Sequence, residues 1–276
     1  MVKDPRIPSG VDPAKPSPAR IYDYVLGGRH NFPADRAAAE RIRAQSPDLE
    51  DAAWANRGFH QRAARWMAAD QGIRQFIDIG SGLPTQGNTH GVVQRVVPRA
   101  HVVYVDNDPM VRACASELLA RDGTTAVVMA DLREPDVVLN DPALRRLIDF
   151  EQPAGLLMTA VLQFVADESD PWALVVRYVA ALAAGSCLAL SHVTYEQLPL
   201  RLVQTGQEVY AQAQGIHPRS RADIERFFTG LEIVPPYQEA ERAITHLGLW
   251  GADDPEQADS DGSHWWYGGV GRRVSR

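Results

Sequence analysis

The spacing of apolar residues changes along this chain and divides it into regions. In the first 70 residues the apolar positions recur at helical intervals. Ala19–Leu26 and Ala34–Ala44 read as helices. Leu49, Ala52, Ala53, Asn56, Phe59, Ala63, Trp66 and Met67 mark one face of a third, from near Ser46-Pro47 to about Asp70. Ser17-Pro18 has the form of an N-cap followed by proline at the first helical position, and Gly27-Gly28 ends that helix. Residues 1–17 are proline-rich and aperiodic, so they are expected to be a flexible leader, with 18–70 a helical cap.

From Ile73, short apolar runs alternate with helical stretches. Strands are predicted at Gln75–Ile79, His101–Val105, Thr125–Ala130, Gly155–Thr159 and Ser186–Ser191. Helices are predicted at Thr89–Val97, from Asp108-Pro109 to Gly123, after Asp141-Pro142, and from Asp170-Pro171 to before Gly185. The tail then offers a helix near Leu198–Gln214, another capped at Ser220, and two closing strands, Leu231–Val234 and Trp265–Val270, joined by a long polar loop. This alternation predicts an α/β fold over 71–276, a mostly parallel sheet covered by helices on both faces.

Composition allows one sizeable core, since 45% of the 276 residues are hydrophobic. The formal charge of -7 argues against a large nucleic-acid surface, which needs clustered Lys and Arg. No apolar run approaches the roughly 20 residues of a membrane helix. Met1-Val2-Lys3-Asp4-Pro5 lacks the apolar segment of a signal peptide, so a cytoplasmic protein is expected. Cys114 and Cys187 have no zinc-like spacing and the histidines no ligand spacing, so no metal and no disulfide framework are expected.

In such sheets ligands bind beyond the carboxyl ends of the strands. The first strand ends in Asp78-Ile79-Gly80-Ser81-Gly82, whose glycines allow a sharp turn and close approach of backbone to ligand. Asp78 is a costly carboxylate at the end of an apolar strand unless it meets a partner such as a ligand ammonium. Asp106, ending the second strand, can accept both ribose hydroxyls, and Asp131, ending the third, can meet an adenine amine. Taken singly, Asp78 also fits a structural carboxylate, and Asp106 and Asp131 fit turn or cap residues; their register favours one ligand. The loop Leu83-Pro84-Thr85-Gln86-Gly87-Asn88 separates the glycines from the next helix, so no helix N-terminus is placed for a pyrophosphate. The pattern therefore favours S-adenosylmethionine (SAM) over a dinucleotide.

These residues resemble the class I SAM-dependent methyltransferases, and more narrowly an actinobacterial S-adenosyl methyltransferase family. The narrower resemblance rests on Ala19-Arg20-Ile21-Tyr22-Asp23-Tyr24-Val25-Leu26-Gly27-Gly28, Asn31-Phe32, Ala34-Asp35-Arg36, and the stretch Phe76 to Asp108. It extends to Ala160-Val161-Leu162-Gln163-Phe164-Val165 and Phe228-Thr229-Gly230-Leu231-Glu232. It implies a Rossmann-like, seven-stranded sheet with its last strand antiparallel. It also implies methionine contacts from Asp78, Gly80, Ser81 and Gly82, a ribose site at Asp106-Asn107, an adenine site at Asp131-Leu132, and a lining from Thr159, Ala160 and Val161 to Leu162. Members of that family commonly carry histidine where this chain has Gln163, which weakens a general base there. Pro84 stands where the usual glycine-rich motif has a small residue.

Tyr22, Tyr24 and Asn31 are candidates for a lid over the sulfonium, whose charge an aromatic face attracts, or are packing residues of a docking helix. His192, after the fifth strand, Gln163 and Tyr22 are the candidate catalytic groups, His192 as a base or as a structural histidine. Trp265-Trp266-Tyr267 reads as strand packing or as a substrate wall. The expectation is a SAM-dependent methyltransferase acting on a small molecule by direct displacement. A SAM-binding regulatory protein and a nicotinamide oxidoreductase are the rivals. The acceptor and the oligomeric state are not legible.

Overall fold

The computed structural model describes residues 7–84, 87–114, 117, 119 and 123–274. Three helices come first: α1 Pro18–Val25, α2 Pro33–Arg43 and α3 Leu49–Ala69. The strands are β1 Gln75–Ile79, β2 His101–Asp106, β3 Thr125–Met129, β4 Gly155–Thr159, β5 Cys187–Val193, β6 Glu232–Ile233, β7 Thr245–His246 and β8 Trp266–Arg272. They form one sheet in the order β3-β2-β1-β4-β5-β8-β6, with β7 also paired to β8. β1 to β5 are parallel and β8 runs antiparallel to β5.

Alternation along the strands decides what each face carries. In β1, Phe76 belongs to the apolar cluster under α3, whereas Ile77 and Ile79 belong to the cluster on the opposite face. Asp78 shares the parity of Phe76 and so points towards α3. The face of α3 read from its periodicity is buried as expected, with Ala52, Phe59, Ala63 and Met67 at 4 % exposure or less.

The cap is clamped by one fully buried carboxylate. Asp35 accepts from the Ser17 and Phe32 amides and pairs with buried Arg20 at 2.9 Å, joining α1 to α2. Part of the proline-rich leader is engaged in the same way, since Arg20 donates to the carbonyls of Asp12 and Lys15. The Ser17 hydroxyl does not cap α1 as expected; it donates to Asp108 Oδ2.

The Asp-Pro helix starts hold. Asp108 accepts from Met110 N, Asp141 from Ala143 N and Asp170 from Ala173 N. The helix after β1 is shorter than expected, Thr89–Val93, and that after β5 covers Leu200–Tyr210. A short helix not anticipated from sequence, Pro135–Leu139, fills the polar stretch after β3. The loop residues Thr85-Gln86 and most of the segment leading to Gly123 lie outside the described residues.

The long polar loop before β8 differs most from expectation. It contains β7 and two of the most buried apolar residues, Leu247 and Trp250. Trp250 packs edge-on against Phe59 at 5.6 Å and Trp66 at 5.9 Å, while Arg62 of α3 donates to the Trp250 and Leu247 carbonyls. Each such buried aromatic contributes roughly 1.5–3 kcal/mol, so the tail seals the cap onto the sheet. Among the described residues no helix is long and apolar enough to cross a membrane.

Candidate active site

Strand order reverses between β1 and β4, and a cleft opens there at the carboxyl ends of the strands. It holds about 220 Å³ of space into which the centre of a water-sized sphere fits, far above the roughly 10–15 Å³ needed for one water. Its walls combine the tips of β1 to β5, α1, α3 and the helix Leu200–Tyr210.

The glycine turn is built as its sequence suggested. Gly80 and Gly82 have φ of 69° and 64°. Gly80 N donates to Val105 O at 2.8 Å, and a Cβ on Gly80 would lie 2.2 Å from Val161 Cγ2. Gly82 N donates to Asp106 Oδ2 at 2.8 Å, and Asp108 N donates to its other oxygen. Asp106 thus braces the turn as well as facing the cleft.

Asp78 ends a chain of hydrogen bonds. Thr89 Oγ1 donates to Asp78 Oδ2 at 2.6 Å, His60 Nε2 lies 2.8 Å from Thr89 Oγ1, and His60 Nδ1 lies 2.9 Å from Thr159 Oγ1. A hydroxyl has one proton to give. Thr89 spends its proton on Asp78, so His60 Nε2 donates to Thr89 and Nδ1 accepts from Thr159. One neutral tautomer satisfies every member. Burial, helped by the nearby Arg57 charge, pushes His60 down to about 3 and keeps it neutral. Burial pushes Asp78 up to about 6 and Asp106 likewise to about 6. Both carboxylates are therefore poised to gain from positive or hydroxyl groups brought by a ligand.

Asp131 is held differently. Arg133 pairs with it at 2.5 Å, Asn107 donates to it at 3.3 Å, and its carboxyl sits below the usual range because of the Arg133 bonds. Ala160, after β4, adopts a left-handed φ of 54° and donates its amide to Ser191 O and Oγ. Backbone strain of this kind concentrates at functional sites.

Gly80, Ser81, Gly82, Asn107, Leu132, Thr159, Ala160, Val161 and Tyr22 line the same cleft as the three acids, as does Gln163. Tyr22 accepts from Asn56 and donates to Ala53 O, and burial raises its phenol. Three candidates lie elsewhere; Tyr24 is not in the cleft, its hydroxyl donating to Glu40 Oε1 at 2.8 Å. Asn31 is not in the cleft; its amide donates to buried Asp23 at 2.8 Å and to Gly28 O, shaping the turn after α1. His192 is not in the cleft either. Along β5, Ser191 faces α3 and bonds Asn56 Oδ1 at 2.6 Å, so the next residue faces the opposite side. There His192 stacks on Phe227, donates to Val193 O and meets Arg219 Nη1 at 2.6 Å. Burial holds it down at about 3, so it is a structural histidine.

Sequence reasoning missed Asn56, Arg57 and His60, which bring polar groups from α3 to the cleft. The available signal was a polar triplet position set within an apolar helix face. It also left Trp265 and Trp266 between two readings; both line the cleft, and Trp266 additionally donates to Ala52 O.

A doubly wound sheet with an antiparallel last strand, a glycine turn after β1 and acids at the first three strand tips together define the class I methyltransferase architecture. The chain belongs to the S-adenosyl methyltransferase family, whose model matches residues 5–274. It is similar to a protein from Thermobifida fusca YX assigned as a methyltransferase, at 39% identity over 97% of this chain and 98% of that one, with a TM-score of 0.88. It is also similar to a DUF574 family protein from Streptomyces avermitilis, at 38% identity over 94% and 98% of the two chains, with a TM-score of 0.87. No curated protein matches it. The protein is a SAM-dependent methyltransferase, and the family match favours this over the regulatory and oxidoreductase readings.

Proposed function

We propose that the cleft binds SAM and delivers its methyl group to a small molecule by direct displacement. The observation that carries this reading is the convergence of three acids on a glycine turn whose Ser81 Oγ is buried without a partner among the described residues. Buried hydroxyls are rarely left unpaired, and the methionine carboxylate is a suitable acceptor. Asp78 would meet the methionine ammonium, Asp106 the ribose hydroxyls, and Asp131 with Leu132 the adenine. Thr159, Ala160 and Val161 would wall the other side.

Bound there, SAM supplies an electrophilic methyl on a good leaving group. The protein's contribution is then mainly alignment, which is worth several kcal/mol on its own. Residues 18–70 act as the cap that closes over the cofactor, and 71–276 as the cofactor-binding domain, with 1–17 a leader. We place the enzyme in the cytoplasm. Calorimetry with SAM, S-adenosylhomocysteine (SAH) and NAD tests the cofactor assignment: SAM and SAH are expected to bind, and binding of NAD alone would overturn it.

A further inference from the structure

The cleft is divided by charge. Among the described residues every charged or imidazole side chain on its wall comes from α3 or from the tips of β1, β2 and β3. The remaining wall, from α1, the ends of β4 and β5, the helix Leu200–Tyr210 and Trp265-Trp266 at the start of β8, has none among the described residues. Aromatic and aliphatic surface dominates it, including Phe164, Tyr210 and Trp265, with Phe164 and Tyr210 in ring contact at 5.4 Å. Arg57 marks the boundary, acting on both Asp78 and Tyr22.

One polar group in this uncharged half is conspicuous. Gln163 is 3 % exposed, and its Oε1 is buried without a partner among the described residues. Its backbone is pinned, its carbonyl accepting from His217 N at 2.7 Å. Arg219 fastens the adjoining turn through the Leu162 and Val165 carbonyls. A buried amide oxygen without a partner, on a pinned backbone in a mostly apolar pouch, is a recognition element for one polar group of a ligand.

Resting on the SAM reading above, we propose that this half takes a flat, apolar acceptor bearing a phenol- or enol-type hydroxyl, oriented by Gln163 and methylated on oxygen without a protein base. The absence of a base among the described residues follows from the wall, since Asp78 and Asp106 are taken by the methionine ammonium and the ribose in the SAM reading. Tyr22 and Tyr210 have raised phenol pKa values, His60 is neutral with both ring nitrogens engaged, and Gln163 does not titrate. The acceptor therefore ionises itself. It enters neutral with its hydroxyl donating to Gln163 Oε1; as the proton leaves to bulk water the side-chain amide turns to donate from Nε2 instead, and the oxygen pairs with the adjacent sulfonium. An oxygen lone pair then forms the O–C bond while the C–S bond breaks with its electrons going to sulfur. Cation and anion are both consumed, leaving a neutral ether and a thioether.

Charge balance separates this class from its competitors. Methylation of a neutral amine would move the positive charge from the sulfonium onto the acceptor nitrogen, away from the acids of β1 to β3 and into a wall with no counter-charge among the described residues. A carboxylate would have to shed its hydration before entering the same apolar half. A phenol enters neutral and ionises beside the sulfonium.

The test titrates the intact protein, in complex with SAM or with SAH, with a nitrophenol whose phenolate absorbs visible light, alongside an aromatic amine and an aromatic carboxylate. Calorimetry is expected to give binding of the phenol and at least tenfold weaker binding of the other two. The absorbance titration is expected to place the bound phenol's pKa lower in the SAM complex than in the SAH complex. Q163A is expected to weaken phenol binding about tenfold, and Q163E to abolish phenolate formation, both with SAM affinity retained. Tighter binding of the amine or the carboxylate, or an unshifted phenol pKa, overturns the acceptor class. Failure of the protein to bind SAM overturns the cofactor reading instead.

Discussion

His60 links the end of β4 to the helix that follows β1: its Nδ1 lies 2.9 Å from the Thr159 hydroxyl while its Nε2 reaches Thr89, the residue that bonds Asp78. The helical cap thereby fixes the carboxylate at the heart of the cofactor site. Replacing His60 by Ala opens a cavity and leaves two buried hydroxyls short of partners. The expected cost is about 2–4 kcal/mol in urea unfolding. SAM affinity is expected to fall about tenfold. Unchanged affinity in H60A would remove His60 from the site.

Gly80 is irreplaceable for two independent reasons. Its φ of 69° disfavours any side chain, and a Cβ would collide with Val161. Gly80→Ala is expected to lose SAM binding by at least tenfold. Combining it with Val161→Ala restores space but not the backbone conformation, so only partial recovery is expected by calorimetry.

The pH dependence of cofactor binding follows from Asp78 and Asp106, each raised by burial to about 6. The ligand's ammonium and hydroxyls favour the ionised forms. Affinity for SAM is expected to be flat above about pH 7 and to weaken as pH falls through 6, by up to about a hundredfold per unit for two coupled protons. Folding stability of the free protein carries the opposite sign for these groups. Their folded pKa values exceed the unfolded ones, so ionisation destabilises the fold at pH 7 and this is relieved towards pH 4. His60 and His192, held at about 3, oppose this because the unfolded chain takes up their protons below about 6.5. Calorimetry from pH 5 to 8 checks the binding profile, and a pH-independent affinity would contradict it.

Arg219 is 3 % exposed and holds Leu162 O, Val165 O, His192 and Asp167 at once. Arg219→Ala is expected to cost about 3–5 kcal/mol, because buried partners lose their donor. Lysine offers no planar fork, so R219K is expected to recover less than half of that loss.

The strands, their order-defining alternation and the acids at Asp78, Asp106 and Asp131 were legible because strand tips follow directly from apolar runs and turn residues. The α3 contribution was not. A periodicity reading counts Asn56 as one member of a buried face and has no way to see that Asn56, Arg57 and His60 look into a cleft. His192 was left between a base and a structural histidine because its position at the end of β5 is visible in sequence, whereas the side to which it points depends on the pleat. Asn31 was assigned by its neighbourhood with the aromatic residues of α1. It serves Asp23 instead, and a Cβ on Gly28 would lie 2.0 Å from the same carboxylate. Buried polar clamps of this sort are set by tertiary packing and leave no periodic trace.

The central claim is that the β1–β4 cleft is the SAM site with Asp106 as its ribose clamp. Isothermal titration of the wild-type protein and D106A with SAM, at pH 7.5, tests it most directly. One SAM per chain is expected for the wild type, with affinity at least tenfold weaker in D106A while the variant remains folded by circular dichroism. Equal SAM affinity in the two proteins would contradict the account.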